Sequence, residues 1–150
     1  MYPYRYTISL RLRHPSMDPE TMTTVLGLTP ARTCRANEPP TNPKGHPLGG
    51  VSRETYWYTV LLKDGRSETR LPAALDRLLD QLERHKNFLH QLSFGGGSAE
   101  FFIGWFFDGG NCGDAFGPEL LARLADFKMI LSLDAYAPSD DGPRLVTRDG

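Results

Sequence analysis

Cysteine is scarce in this chain. Cys34 and Cys112 are the only two in 150 residues, and each sits in an irregular stretch, so no disulfide framework is available. Long hydrophobic runs are missing too. None approaches the roughly 20 apolar residues of a membrane span, and the opening Met-Tyr-Pro-Tyr-Arg-Tyr lacks the apolar core of a secretory signal. Nor is there an excess of one charge. The formal net charge of −1 supplies no bulk attraction to nucleic acid or to an anionic membrane, so any basic site must be local. These absences lead to the expectation of a cytoplasmic protein in a reducing compartment, with no membrane partner. A chain of this length is expected to form one domain, residues 1–137, that buries roughly two-thirds of its unfolded surface.

What is present begins with period-two alternation. Over residues 4–13, Tyr4, Tyr6, Ile8, Leu10 and Leu12 fall on one face, and Arg5, Thr7, Ser9, Arg11 and Arg13 on the other. That is the pattern of a strand with one buried side. Asp18-Pro19-Glu20 then starts a helix: Pro pre-sets φ at the first turn, and Glu meets the positive end of the helix dipole. Gly27-Leu28-Thr29-Pro30 stops it. The same arrangement recurs late in the chain. A strand over 100–107 is followed by Gly117-Pro118-Glu119, a helix over 120–127 and a strand over 129–136.

Between the two halves lie a strand over 54–62, dense in aromatic and β-branched residues, and a helical pattern beginning at Leu71. Leu71, Leu75, Leu78, Leu79, Leu82, Leu89 and Leu92 recur at helical spacing up to Gly95-Gly96-Gly97, predicting one long helix. The strand–helix alternation predicts an α+β fold: two βαβ units forming a four-stranded antiparallel, ferredoxin-like sheet, with the long helix between the halves. Whether that helix covers the second face of the sheet is left open by the sequence. Residues 29–52 stand apart. They hold five of the twelve prolines, with the basic residues Arg32, Arg35, Lys44 and His46 and a single acid, Glu38. A loop this long is either functional or disordered. The tail, residues 138–150, is expected to be flexible.

His14-Pro15-Ser16-Met17-Asp18-Pro19-Glu20 and Leu26-Gly27-Leu28-Thr29-Pro30-Ala31-Arg32 resemble the opening of a bacterial family known as domain of unknown function 4279. Asp108-Gly109-Gly110-Asn111 and Pro118-Glu119-Leu120-Leu121-Ala122-Arg123-Leu124 resemble its second half. Asn37-Glu38-Pro39-Pro40 departs from the family pattern, and the loop is lengthened there. The resemblance brings no established reaction. It implies a small accessory bacterial protein, some relatives of which look like toxin-immunity or other protein-binding partners.

Three constellations could carry chemistry. In the first, Arg5, Thr7, Ser9, Arg11 and Arg13 share a sheet face with Phe102, Gly104 and Phe106, with Ser132, Asp134 and Tyr136, and with the more polar side of the 54–62 strand: Thr55, Trp57 and Thr59. Interleaved Arg and aromatic side chains serve both protein interfaces and base-stacking platforms. The bland alternative is that the long helix covers this face and the arginines are edge-strand solubility devices. In the second, residues 108–119 have an EF-hand-like frame, but Gly110 and Cys112 occupy positions that must supply oxygen ligands. In the third, neither cysteine has a histidine at a recognised catalytic spacing, so no nucleophilic site is indicated.

The expectation is therefore a non-catalytic module that binds another protein, of immunity or inhibitor type, occluding the partner's active site. No catalytic residue, metal or cofactor is expected. The binding residues predicted are Arg5, Arg11, Arg13 and Trp57 on the sheet, with Arg32, Arg35 and Lys44 from the loop. One alternative is a small-ligand protein or enzyme using residues 29–52 as a lid. Another is RNA or single-stranded nucleic acid on an open sheet face, which the near-neutral charge argues against.

Overall fold

Strict alternation builds the central strand, β1 (Tyr4–His14), and Pro19 opens α1 (Pro19–Leu26), which Gly27 ends in a left-handed conformation at φ 66°. Then follow β2 (Arg32–Cys34), β3 (Thr55–Arg66), α2 (Leu71–Leu82), a 3-10 turn (Glu83–His85) and α3 (Lys86–Phe94). The chain continues through β4 (Ser98–Phe107), α4 (Pro118–Asp126) and β5 (Met129–Tyr136). The computed structural model describes residues 4–42, 44–66 and 69–137. The tail expected to be flexible, residues 138–150, lies outside them.

The α+β class holds, but the sheet is not four-stranded and antiparallel. Among the described residues it has five strands in the order β2-β3-β1-β4-β5, and β5 runs parallel to β4 while the other neighbours are antiparallel. The expected assignment of strands to units changes as well. The strand predicted at 54–62 does not return parallel from α1; it is β3, antiparallel to β1. The return strand is β2, which is antiparallel to β3 and so parallel to β1, giving a βαβ unit split by β3. A three-residue strand is too short to show alternation, which is why it was invisible within a Pro-rich stretch. The late unit, β4–α4–β5, does form a parallel pair, with Phe101 opposite Leu131 and Ile103 opposite Leu133.

The expected long helix is broken. Between Leu82 and Phe88 the residues Glu-Arg-His-Lys-Asn offer nothing apolar to the core, and the chain tightens into the 3-10 turn there before helix resumes. Both halves pack on the same side of the sheet as α1 and α4. One continuous core joins Leu75, Leu79, Leu89 and Leu92 to Met22, Leu124 and the buried face of β1: Tyr4, Tyr6, Ile8, Leu10 and Leu12. Arg123 of α4 ties this layer together, donating to Asp76 at 2.9 Å and Asp80 at 2.7 Å on α2. Gly97 fixes the entry to β4: a Cβ there would lie 2.4 Å from the Arg13 carbonyl oxygen.

The segment after β2 folds back on itself. Asn37 N–H donates to Ser52 O at 2.7 Å and Ser52 N–H to Glu38 O at 2.9 Å, while Thr41 bridges Pro47 and Leu48 N–H donates to Pro40 O. These backbone bonds make it a hairpin-like flap beside the sheet.

Candidate binding face

The helices occupy one face of the sheet, so the arginine side of β1 lies on the other. The register sets its rows. Arg32, Tyr58, Arg11 and Glu100 align across β2, β3, β1 and β4; Cys34, Tyr56, Arg13 and Ser98 form the next row. Farther along, Ser9 meets Phe102 and Ser132, and Arg5 meets Phe106 and Tyr136. Period-two alternation makes each row a set of cross-strand neighbours.

Each arginine of β1 rests on a ring. The Arg11 guanidinium lies 3.6 Å from the Phe102 centroid, Arg5 lies 5.0 Å from Phe106, and Arg13 lies 5.2 Å from Tyr56. Phe106 in turn stacks on Tyr136, with centroids 4.9 Å apart. Gly104 makes this close layer possible, because a Cβ there would fall 2.7 Å from Thr7 Oγ1 and 3.3 Å from the Phe106 ring. Carboxylates temper the charge. Glu100 accepts from Ser132 Oγ at 2.5 Å and stands 4.0 Å from Arg11 and 3.8 Å from Arg13, while Glu54 lies 3.5 Å from Arg13. Burial pushes the Tyr56 phenol up, with Arg11 and Arg13 pulling the other way. The Tyr136 phenol is raised by its hydrogen bond to Asp134.

Trp57 was expected on this face and is not there. Its partner in the ladder is Leu12, so it points under α1, fully buried, and its Nε1–H donates to Thr23 Oγ1 at 3.0 Å. Thr55 and Thr59 go the same way and are satisfied there, by Ala36 N–H and Thr29 O. The polar-looking side of β3 is therefore its inner side, and Tyr56 and Tyr58, which pattern reading passed over, face the arginines. Their signal was the register opposite Arg13 and Arg11.

The loop residues divide. Arg32 joins the face through its place beside Tyr58, and its Nη2–H donates to the Thr41 carbonyl. Arg35 does not join. It pairs with Asp18 at 2.8 Å, Glu20 at 2.5 Å and Glu38 at 3.4 Å, making a strut between the flap and the start of α1. Lys44 is exposed at the flap's turn, with its backbone N–H on Asn42 Oδ1.

Asp114 of the loop before α4 accepts from Tyr4 Oη–H at 2.5 Å, and the Tyr4 oxygen accepts from Leu71 N–H at 3.1 Å. Burial, followed by the Asp114 bond, pushes the Tyr4 phenol up to about 12. Among the described residues no three His, Cys, Asp or Glu side chains gather as metal ligands, and no helix is long and apolar enough to cross a membrane.

A two-layer α+β protein with one sheet face left to an Arg–aromatic array is the class these features define. The chain belongs to the family described as Domain of unknown function (DUF4279), whose model matches residues 4–138, nearly the whole sequence. No curated protein and no solved structure matches it.

Proposed function

We propose that this protein is a non-catalytic binding module whose open sheet face docks an acidic surface of another protein. The observation that carries the reading is the set of β1 arginines placed over the rings of Phe102, Phe106 and Tyr56 on the face away from the helices. A guanidinium already ordered on a ring loses less side-chain entropy on pairing with a carboxylate, and Arg beside aromatics is the usual composition of an interface centre. In an immunity- or inhibitor-type role, the face would occlude the partner's active site. Glu100, Asp134 and Glu54 on or beside the same face disfavour a phosphate backbone, so nucleic acid is the weaker reading.

The test is affinity capture of the full chain from native-host lysate, with and without nuclease, beside an Arg5/Arg11/Arg13→Ser variant and an Arg77→Ser control on the helical layer. One stoichiometric protein, kept after nuclease and by the control but lost with the triple variant, is the expected result. Retention of that protein by a folded triple variant, or loss of all capture after nuclease, would refute the reading.

A further inference from the structure

A hollow of about 400 Å³ lies where the flap meets the sheet, with Arg11, Arg32, Tyr56 and Tyr58 as its floor and Pro40 and Thr41 on its rim. We infer that it is a binding site for a small planar carboxylate, with the anion held between Arg32 and Arg11 and the planar body laid over Tyr58.

The register builds the site. Arg32 and Arg11 are both cross-strand neighbours of Tyr58, one on each side, so two arginines bracket one tyrosine across three adjacent strands. Strands about 4.8 Å apart place the two Cα atoms roughly 10 Å from each other, a span that two long side chains close easily around an anion. Tyr56 stands beside Tyr58 with centroids 5.8 Å apart and planes inclined at 45°, giving a wedge-shaped aromatic floor for a flat group. None of the described residues lining the hollow is acidic. The volume falls within the range of small-molecule sites.

Both arginines keep unused donors. Arg32 donates to the Thr41 carbonyl, which leaves most of its five N–H groups for a ligand. Arg11 lies on Phe102, and its Nη1 stands 4.0 Å from Glu100, beyond a hydrogen bond. The nearby Glu100 carboxylate offsets part of the Arg11 charge, so the site matches a single negative charge better than a dianionic phosphate. A carboxylate also fits the planar guanidinium fork. The site lies at the β2 end of the face, away from Arg5, and does not depend on a protein partner.

The experiment is titration of the full-length, ¹⁵N-labelled protein with benzoate, followed by amide chemical shifts, beside neutral benzamide, non-planar acetate and phenyl phosphate. Benzoate is expected to shift the amides of Arg32, Thr41 and Tyr58 saturably, with an affinity of about 1 mM or tighter. Benzamide, acetate and phenyl phosphate should each bind at least about fivefold more weakly, roughly 1 kcal/mol by the logarithmic relation of affinity to free energy. Arg32→Gln, at an edge strand, should weaken benzoate by a similar factor while its spectrum stays that of the folded protein. Absence of saturation at about 10 mM, equal binding of benzamide, or a folded Arg32→Gln variant that binds normally would overturn the assignment. A preference for phenyl phosphate would overturn the carboxylate.

Discussion

Replacing Tyr4 by Phe removes one oxygen from a place where two elements depend on it. Tyr4 is 3% exposed, and its hydroxyl both donates to Asp114 at 2.5 Å and accepts from Leu71 N–H, at the start of α2, at 3.1 Å. The variant leaves that N–H without its acceptor, at about 1–3 kcal/mol, and removes a charge-assisted bond worth about 1.5–3 kcal/mol. Together these predict a loss of about 3–5 kcal/mol at pH 7, a large share of the 5–15 kcal/mol typical of a domain. The pH dependence has a definite sign. The folded phenol titrates near 12, above its unfolded value of 10.0, so its contribution is complete below pH 10 and falls between pH 10 and 12 as the unfolded chain ionises first. At pH 11 the wild type should have given up on the order of 1 kcal/mol through this group, and the variant has no such group to ionise. The deficit of Tyr4→Phe should therefore shrink by about that amount, because the other tyrosines are common to both proteins. Urea unfolding of the pair at pH 7 and pH 11 measures it. A deficit that stays the same at both pH values would refute the account of Tyr4.

Trp57→Phe should destabilise the protein by about 1–3 kcal/mol in denaturant titrations, from the lost bond to Thr23 and imperfect filling, yet leave partner capture by the refolded variant intact. Loss of capture without loss of stability would return Trp57 to the binding face. Gly97→Ala places a Cβ against two carbonyl oxygens, 2.4 and 2.8 Å away, and should cost about 2 kcal/mol or more, whereas Gly113→Ala meets nothing within 4 Å and should be close to neutral. Equal thermal midpoints for these two variants would contradict that geometry. Arg35→Ala should change global stability by less than about 1 kcal/mol, because its three partners are exposed. It should nonetheless speed tryptic cleavage after Lys44, since the strut that holds the flap to α1 is gone; an unchanged cleavage rate would mean that the flap's own backbone bonds suffice.

Strand alternation and helix starts were legible in the sequence, although the periodic stretch from Leu71, expected as one helix, is divided at Glu83–His85. The alternation of β1 gave its buried and open faces correctly, because one residue step exchanges the two faces and only one assignment buries Tyr4, Tyr6, Ile8, Leu10 and Leu12. Pro19 and Pro118 marked their helices because the missing N–H lies where none is needed. What failed was what pattern does not encode. Strand β2 is set by pairing with β3 rather than by its three residues, and the sheet's strand assignment followed from that omission. The β3 faces were misread because Thr55 and Thr59 look like solvent-facing residues and are instead buried with hydrogen-bond partners, while the tyrosines between them face outward. Within the candidate site, Arg5, Arg11 and Arg13 were readable from alternation. The joining of Arg32 to Tyr58, and the diversion of Arg35 to α1, depend on chain segments meeting at long range.

The first of the described strands in chain order is the middle of the sheet. β1 has β3 on one side and β4 on the other, and β4 follows it by more than 80 residues of chain. During synthesis the amino-terminal half can assemble β2, β3 and β1, but the second edge of β1 then has no neighbour until Ser98–Phe107 is available. An unpaired edge on a nascent chain is a template for the wrong strand. A fragment ending before β4 should therefore self-associate through β1, whereas supplying the remainder as a separate peptide should close the sheet. The topology thus makes this protein a natural candidate for complementation from two pieces divided between β3 and α2.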